Sequence, residues 1–284
     1  MSVQDALILG VIQGLTEFLP VSSSGHLVIA ESLLKLPVES LKSFDIATHV
    51  GTLFALLVYF WKEIWSLIVA FFASIGQIFT KKKLPAELEN SQRLMIYLLI
   101  ATIPAIVFGV TLGDWLDELF RQPFTVAIFM IVMGLGFFVA EFIYSRLKTR
   151  NVGLREGLVM GLAQCLALIP GVSRSGITIS AGLVQGVKRD EAAKFSFLLG
   201  AIAIFGAAVF TVYDIAKGKY AMPPLDLLLM GIVSSFVVGL AAVSFLMKFL
   251  KKNTLHVFGI YRVILGFVIL YLLNFTTVFP HWVS

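Results

Sequence analysis

The chain has little charge and almost no cysteine, and each shortage excludes a class of protein. Only 14% of its 284 residues are charged, against roughly 25% in soluble domains, and the mean hydropathy is +0.94. The single cysteine, Cys165, excludes an intrachain disulfide. The long apolar stretches also lack the alternating pattern of a membrane β-barrel. The sequence therefore predicts an all-α polytopic membrane protein, and the net charge of +5 reflects loop orientation rather than nucleic-acid binding.

Six apolar stretches are long enough to cross about 30 Å of hydrocarbon. They lie near residues 44–72, 91–113, 123–146, 191–213, 225–247 and 257–277. Two further segments, 2–36 and 155–187, are interrupted by proline, glycine and polar residues. Each is expected to form two short helices joined by a loop at membrane depth, which is tolerated only where it is buried in protein or lines a wet cavity.

The two interrupted segments are copies of one another. When residues 10–30 are shifted by 151 positions onto 161–181, eight residues coincide, among them a glutamine, two serines and two glycines. Duplicated broken segments in the two halves of a membrane protein point to its binding site. We therefore expect one membrane domain, 1–284, built from two repeats at 1–146 and 155–277, each with one re-entrant hairpin and three spans.

The charges of the connections predict that the second repeat is inverted. Basic residues concentrate in three connections, 73–90 (with Lys81, Lys82 and Lys83), 147–155 and 248–256, whereas 114–122 is mainly acidic. The positive-inside rule places the three basic connections in the cytoplasm and 114–122 outside. The first hairpin then enters from outside and the second from the cytoplasm, so that the two hairpins are expected to meet near the bilayer midplane.

The first hairpin carries a candidate reaction centre. A carboxylate such as Glu17 costs about 2.5–3.5 kcal/mol at the bilayer centre, so it is rarely idle. Gln13 lies four residues earlier on the same helix face, and the pair could hold a divalent cation or a water. Ser23 and His26 lie three apart and offer the hydroxyl and imidazole of an activated nucleophile. The plainer alternatives are a serine-rich helix cap and a Glu17–Arg174 pair that only holds the copies together.

The second hairpin carries a candidate anion site. Residues 170–178 read PGVSRSGIT, in which hydroxyls flank Arg174 at the expected start of a helix. Free amide groups, the helix dipole and a forked cation together favour an anion, most naturally a phosphate. In a buried membrane site the simplest such ligand is a lipid phosphate or diphosphate.

These motifs resemble those of the undecaprenyl-diphosphate phosphatase family, also called bacitracin resistance proteins. The likeness lies in the Gln13–Glu17 pair, the SSSGH block at 22–26 and PGVSRSGIT at 170–178, and it covers essentially the whole chain. It implies hydrolysis of undecaprenyl diphosphate to the monophosphate and inorganic phosphate, which recycles a lipid carrier for cell-wall synthesis and confers bacitracin resistance. It also implies a bacterial plasma membrane, a site open to the outer face, and a divalent cation, Mg²⁺ or Ca²⁺.

The resemblance also implies roles for individual residues. The expected catalytic residues are Glu17, Ser23, His26 and Arg174, and the expected substrate-binding residues are Gln13, Ser22, Ser173, Ser175 and Thr178. Glu17 and Gln13 are the expected metal ligands, although glutamine stands where many members have glutamate, which puts two-carboxylate metal binding in doubt. The nucleophile stays open between Ser23, His26 and water. The expected partners are the polyprenyl diphosphate and membrane lipids, with a homodimer as a further option.

Two other functions compete with this interpretation. The type-2 phosphatidic acid phosphatases share a block like residues 23–26, but their second block needs a histidine where this chain has Ser180. A transporter or lipid flippase would also use paired broken helices, but it would need no nucleophile beside a base. Four other polar residues lie near span ends, where snorkelling is the ordinary explanation: Glu141, Arg146, Lys248 and Arg262. His49, within the first span, is left outside the expected site.

Overall fold

The computed structural model describes residues 1–36, 41–80, 85–219 and 221–275, and within these ranges the chain forms helices and no β-strand. The helices are α1 (Val3–Phe18), α2 (Ser23–Leu33), α3 (Lys42–Tyr59), α4 (Trp61–Thr80), α5 (Ala86–Phe120), α6 (Pro123–Tyr144), α7 (Leu154–Gln164), α8 (Arg174–Leu183), α9 (Arg189–Ala216), α10 (Leu225–Leu250) and α11 (His256–Phe275). Five of these helices are long and apolar enough to cross a membrane, or six if α3 and α4 form one span. The prediction of a helical polytopic membrane protein is confirmed.

Both interrupted segments fold as pairs of short helices, as predicted. The first hairpin consists of α1, the loop 19–22 and α2. The second hairpin consists of α7, a 3₁₀ turn at Cys165–Leu168, the loop 169–173 and α8. Each loop contains a proline, which cannot donate a backbone hydrogen bond and so ends the preceding helix.

The first predicted span, 44–72, is wrong as a single helix. The chain breaks at Phe60, and α4 turns by 82° from α3. Neither proline nor glycine marks the break, although Lys62 and Glu63 interrupt the apolar run just after it. Phe60 is instead buried and packs against the ring of Phe197 in α9. A contact between distant helices therefore coincides with the bend, which local sequence does not signal.

The connection predicted at 114–122 is helical for most of its length, although the apolar span within α5 ends at Gly113, as the sequence predicted. Helix α5 continues to Phe120, and α6 begins at Pro123, so only two residues connect the helices. Proline is well suited to the first position of a helix, because its missing amide would have no partner there. The basic residues Lys81–Lys83 of the 73–90 connection lie outside the described residues.

Glycines let the first helix of each hairpin approach a long helix closely. A Cβ atom at Gly10 of α1 would lie 2.7 Å from the carbonyl oxygen of Gly231 in α10. A Cβ atom at Gly161 of α7 would overlap the backbone of Ala101 in α5. Gly10 and Gly161 are equivalent residues of the repeat. Small residues at such crossings let helix backbones pack closely in membranes, and both hairpins have a glycine at the equivalent contact.

Ion pairs lie near the far ends of the hairpins. Arg121 contacts Asp45 of α3 at 2.5 Å and the buried Glu31 of α2 at 3.6 Å. Beyond α8, Arg189 at the start of α9 binds Glu141 of α6 through two nitrogens. Glu141 is 3% exposed and also accepts from a backbone amide that precedes α11. The snorkelling interpretation of Glu141 is therefore wrong, because its carboxylate is an internal anchor.

Candidate active site

The carboxylate of Glu17 is the centre of the site and is buried. Its Oε1 accepts a hydrogen bond from Nη2 of Arg174. Its Oε2 accepts from Ser23 Oγ at 2.7 Å and from Gln13 Nε2 at 2.9 Å, and it lies 3.5 Å from Nε2 of His49. The two hairpins thus meet at one carboxylate, as the repeat predicted, and that carboxylate accepts hydrogen bonds from both copies.

The two copies contribute equivalent positions to this meeting point. Ser23 and Arg174 are the first residues of α2 and α8, and they lie 151 positions apart, which is the offset of the repeat. The residues before them, Ser22 and Ser173, have positive φ angles of 77° and 74°. Each of these two serines caps its helix by accepting from the amide three residues later. Non-glycine residues rarely adopt such angles, and those that do cluster at functional sites.

Arg174 is held in place from three directions. Besides Glu17, its Nη1 donates to the carbonyl oxygen of Ser196 in α9 at 3.3 Å. Gly200 of α9 leaves room for the guanidinium, since a Cβ atom there would overlap Nη1. Thr178 is fully buried one turn beyond Arg174, and its hydroxyl contacts the Arg174 carbonyl and the Ser196 hydroxyl. The Thr178 hydroxyl is therefore tied to the backbone of Arg174 and to Ser196, and its donation to a substrate would require these bonds to break.

His26 does not pair with Ser23 in the structure. Its Nδ1 lies 2.7 Å from the carbonyl oxygen of Ser22, and its Nε2 lies 2.8 Å from the hydroxyl of Tyr261 in α11. A carbonyl oxygen can only accept, so Nδ1 carries a proton, and when the ring is neutral Nε2 accepts from the Tyr261 hydroxyl. Ser23 instead donates to Glu17. The base next to the candidate nucleophile is thus the carboxylate, not the imidazole.

Comparison with known proteins identifies the family. The profile of the family described as bacitracin resistance protein BacA matches residues 6–268. The chain belongs to the bacitracin resistance protein family.

Relatives that carry the name undecaprenyl-diphosphatase are similar to this chain along nearly its whole length, and three of them are described below. One from Geotalea daltonii is 42% identical over 279 residues, covering 97% of this chain and 100% of the relative. One from Thermodesulfovibrio yellowstonii is 41% identical over 272 residues, covering 95% and 96%. One from Moorella thermoacetica is 37% identical over 270 residues, covering 95% and 97%.

The residues at the centre fit a divalent cation that is shared with a substrate. No group of three His, Cys, Asp or Glu side chains lies together in the described parts of this bacitracin resistance family member. However, Oε1 of Gln13 is buried without a hydrogen-bond partner, on the side chain that contacts Glu17. Mg²⁺ typically takes one or two protein oxygens and completes its shell with water and substrate phosphates. Glu17 and the free amide oxygen of Gln13 are therefore the candidate ligands at this centre, and the described residues add no cage of further protein ligands.

Three residues of the site were not predicted from the sequence. His49 lies beside Glu17, Tyr261 contacts His26, and Arg262 is fully buried between the two hairpin loops. The snorkelling interpretation of Arg262 is wrong, since its guanidinium binds backbone carbonyls inside the protein. The only signal for these residues was a polar side chain within an apolar helix, and that signal does not tell which face of the helix is buried.

The remaining predicted binding residues lie around the loops and are largely enclosed. Ser22 and Ser175 are each 1% exposed, and Ser173 is 7% exposed. The hydroxyls of Ser173 and Ser175 lie 3.4 Å apart, and Ser175 also contacts the carbonyl oxygen of Leu19 in the first loop. These serines shape the junction of the loops, and their contact with a substrate stays a prediction.

Proposed function

We propose that this protein hydrolyses undecaprenyl diphosphate to undecaprenyl phosphate and inorganic phosphate. The observation that carries the proposal is the convergence of a serine hydroxyl and an arginine on one buried carboxylate, Glu17, inside a multi-pass membrane protein. The names of its relatives supply the substrate. The product returns a lipid carrier to cell-wall synthesis, and faster removal of the diphosphate lipid that bacitracin sequesters accounts for antibiotic resistance.

The first chemical step uses Ser23 as the nucleophile. Its hydroxyl donates to Glu17 at 2.7 Å, so Glu17 is placed to accept the proton while Ser23 Oγ attacks the terminal phosphorus. The bond to the bridging oxygen breaks, and undecaprenyl phosphate leaves with the bonding electrons. Arg174 stabilises the negative charge on the transferred phosphoryl group, and such charge stabilisation dominates catalysis of phosphoryl transfer.

A water molecule completes the reaction in the second step. It attacks the phosphoserine and gives its proton to a base, after which Ser23 regains its own proton and inorganic phosphate leaves. His26 serves as the second base through Nε2, once the Tyr261 hydroxyl turns away. Direct attack by water on the diphosphate is the alternative route, and it would use the same charged groups without a covalent intermediate.

A divalent cation, Mg²⁺ or Ca²⁺, would be held by Glu17 and by the Gln13 amide oxygen together with the diphosphate. When bound, it would neutralise charge on the phosphate oxygens. The chain's own part is to present these two oxygens and to keep Arg174 on the other side of the carboxylate. With so few protein ligands, the cation is expected to bind only when the diphosphate is also bound.

The inverted repeat and the outward-facing site are part of the same proposal. The matching caps at Ser22 and Ser173 and the matching glycine contacts of α1 and α7 support a two-fold relation between 1–146 and 155–277. With two hairpins entering from opposite faces, their loops would meet near the midplane. We further propose that the site opens to the outer face of the plasma membrane, while the prenyl tail lies among membrane lipids.

The test is phosphate release from undecaprenyl diphosphate by the purified protein in detergent, with and without Mg²⁺. We expect metal-dependent release that is abolished in Arg174→Ala and barely recovered in Arg174→Lys, because lysine lacks the bidentate fork. Release by Arg174→Lys near the wild-type rate would contradict the role of the fork. Absence of release from folded wild-type protein would favour a lipid transporter, which a flipping assay in liposomes would detect.

A further inference from the structure

Arg262 is a buried cation that binds the loops of both hairpins. It is 0% exposed, and in the described part of the chain it forms no ion pair with a carboxylate. Its Nη1 donates to the carbonyl oxygen of Pro20 at 3.3 Å. Its Nη2 donates to the carbonyl oxygens of Gly171 at 2.5 Å and Val172 at 3.2 Å. One side chain thus links the loop of the first hairpin to the loop of the second.

The two loops present equivalent carbonyls to this guanidinium. Pro20 and Gly171 are 151 positions apart, which is the offset of the repeat. Each lies three residues before a residue that contacts the central carboxylate, Ser23 in one copy and Arg174 in the other. A displacement of either carbonyl would therefore be passed to a group at the reaction centre.

Helix α6 holds the guanidinium from the other side. Nε of Arg262 donates to the carbonyl oxygen of Met130 at 3.3 Å, and Nη2 lies 3.3 Å from that of Phe129. The guanidinium also lies over the ring of Phe137, 5.4 Å from its centroid. An arginine presents five donors in a planar fork, so it can bind both loops and α6 at once, whereas lysine carries the same charge on a single nitrogen.

Burying an unpaired charge is costly, and an apolar side chain could fill the same space without that cost. We propose that Arg262 is a positioning residue for the hydrolysis, which fixes the separation of Ser23 and Arg174 by holding the equivalent carbonyls of both loops. This inference rests on the proposed function for its kinetic consequences. Its geometric consequence, the spacing of the hairpins, does not depend on any activity.

The kinetic test is Arg262→Lys, with Arg189→Lys as the matched control. Arg189 is also held by several hydrogen bonds, but it binds Glu141 and touches neither loop. We expect Arg262→Lys to lower kcat by about tenfold or more while KM changes by less than about threefold, since substrate contacts remain and only alignment is lost. Arg189→Lys should leave kcat within about twofold of wild type. Retention of more than half the wild-type kcat in Arg262→Lys would overturn the proposal.

The geometric test measures the distance between the hairpins by pulsed electron paramagnetic resonance. Spin labels on cysteines at the exposed positions Leu33 and Val184, in a Cys165→Ala background, report the ends of α2 and α8. We expect Arg262→Lys to broaden or shift the distance distribution and Arg189→Lys to leave it unchanged. An unchanged distribution in Arg262→Lys would refute the positioning role, whether or not the protein releases phosphate.

The two tests separate the inference from the proposed function. Wild-type protein that releases phosphate, together with an unaffected Arg262→Lys variant, rejects the positioning role alone. Wild-type protein without release rejects the hydrolase function and leaves the distance measurement to decide on Arg262. If Arg262→Lys does not fold, Arg262→Gln takes its place in both tests, because glutamine keeps two donors without a charge to bury.

Discussion

A single added methyl group at Gly200 tests the site without changing any polar atom. Gly200 lies in α9 against the end of the Arg174 side chain, and a Cβ atom there would overlap Nη1. The guanidinium must move, because the Gly200 backbone is part of a long regular helix. The overlapping atom is the end of a flexible side chain, so we expect the rest of the fold to stay intact.

The expected loss of activity follows from the hydrogen bond between Arg174 and Glu17, which the displacement breaks. Alanine in a helix interior is more favourable than glycine by about 0.5–1 kcal/mol, which offsets only part of the stability lost when Arg174 moves away from the buried carboxylate of Glu17. Movement of Arg174 removes a charged donor from the transition state. Loss of one such donor typically lowers kcat by about 10²–10³-fold, which corresponds to about 2.7–4 kcal/mol. We expect kcat/KM for phosphate release to fall within that range.

The matched control is Gly206→Ala in the same helix. A Cβ atom at Gly206 would meet no described atom within 4 Å, so this variant carries the same helix effect without touching Arg174. We expect Gly206→Ala to keep kcat/KM within about twofold of wild type. A folded Gly200→Ala protein that binds substrate but releases phosphate far more slowly than Gly206→Ala would support the reasoning. Gly200→Ala with more than half the wild-type activity would refute the claim that Arg174 must occupy its observed place.

Three further predictions follow from the contacts of the site. Ser23→Ala should lower kcat on the order of a thousandfold or more and abolish phosphoenzyme trapping with β-³²P-labelled substrate; activity above half of wild type removes Ser23 as the nucleophile. His49→Ala should lower kcat by about tenfold, because Glu17 loses a neighbour at 3.5 Å; an unchanged kcat would mean that His49 does not assist the carboxylate. Tyr261→Phe removes only the hydroxyl on His26 and should change kcat/KM by about two- to tenfold with unaltered thermal stability; a complete loss of activity would give the phenol a direct chemical role.

The hairpins and their meeting point were predictable from the sequence because their signals are local. Pro20 interrupts an apolar run and serines follow it, and in the second copy Pro170 is likewise followed by Ser173 and Ser175. These features specify a loop followed by a capped helix wherever they occur. The divergence of the two copies, with Glu17 in one and Arg174 in the other, predicted a contact between them, and the structure contains that contact.

The residues that were missed reach the site through tertiary packing. His49 and Arg262 come from α3 and α11, and their helix faces are set by the helices against which they pack. The bend at Phe60 likewise coincides with a contact to α9 and has no proline or glycine signal. A polar side chain in an apolar span indicates a buried interaction, but the partner lies more than a hundred residues away for Arg262 and Pro20. The local pattern of apolar and polar residues cannot identify a partner that is so far away along the chain.

The geometry of the site also explains how a duplication can yield two different functional groups. Ser23 and Arg174 occupy equivalent positions, each directly after a serine cap with a positive φ angle. Both side chains reach the same carboxylate, Ser23 on Oε2 and Arg174 on Oε1. The repeat therefore places the first residues of α2 and α8 on either side of the same carboxylate. Because these two residues differ, one copy contributes a hydroxyl nucleophile and the other contributes a cation. A serine in both copies would leave Glu17 without a buried counter-charge, and an arginine in both would leave no hydroxyl beside it, so the chemistry requires the copies to differ where the fold requires them to match.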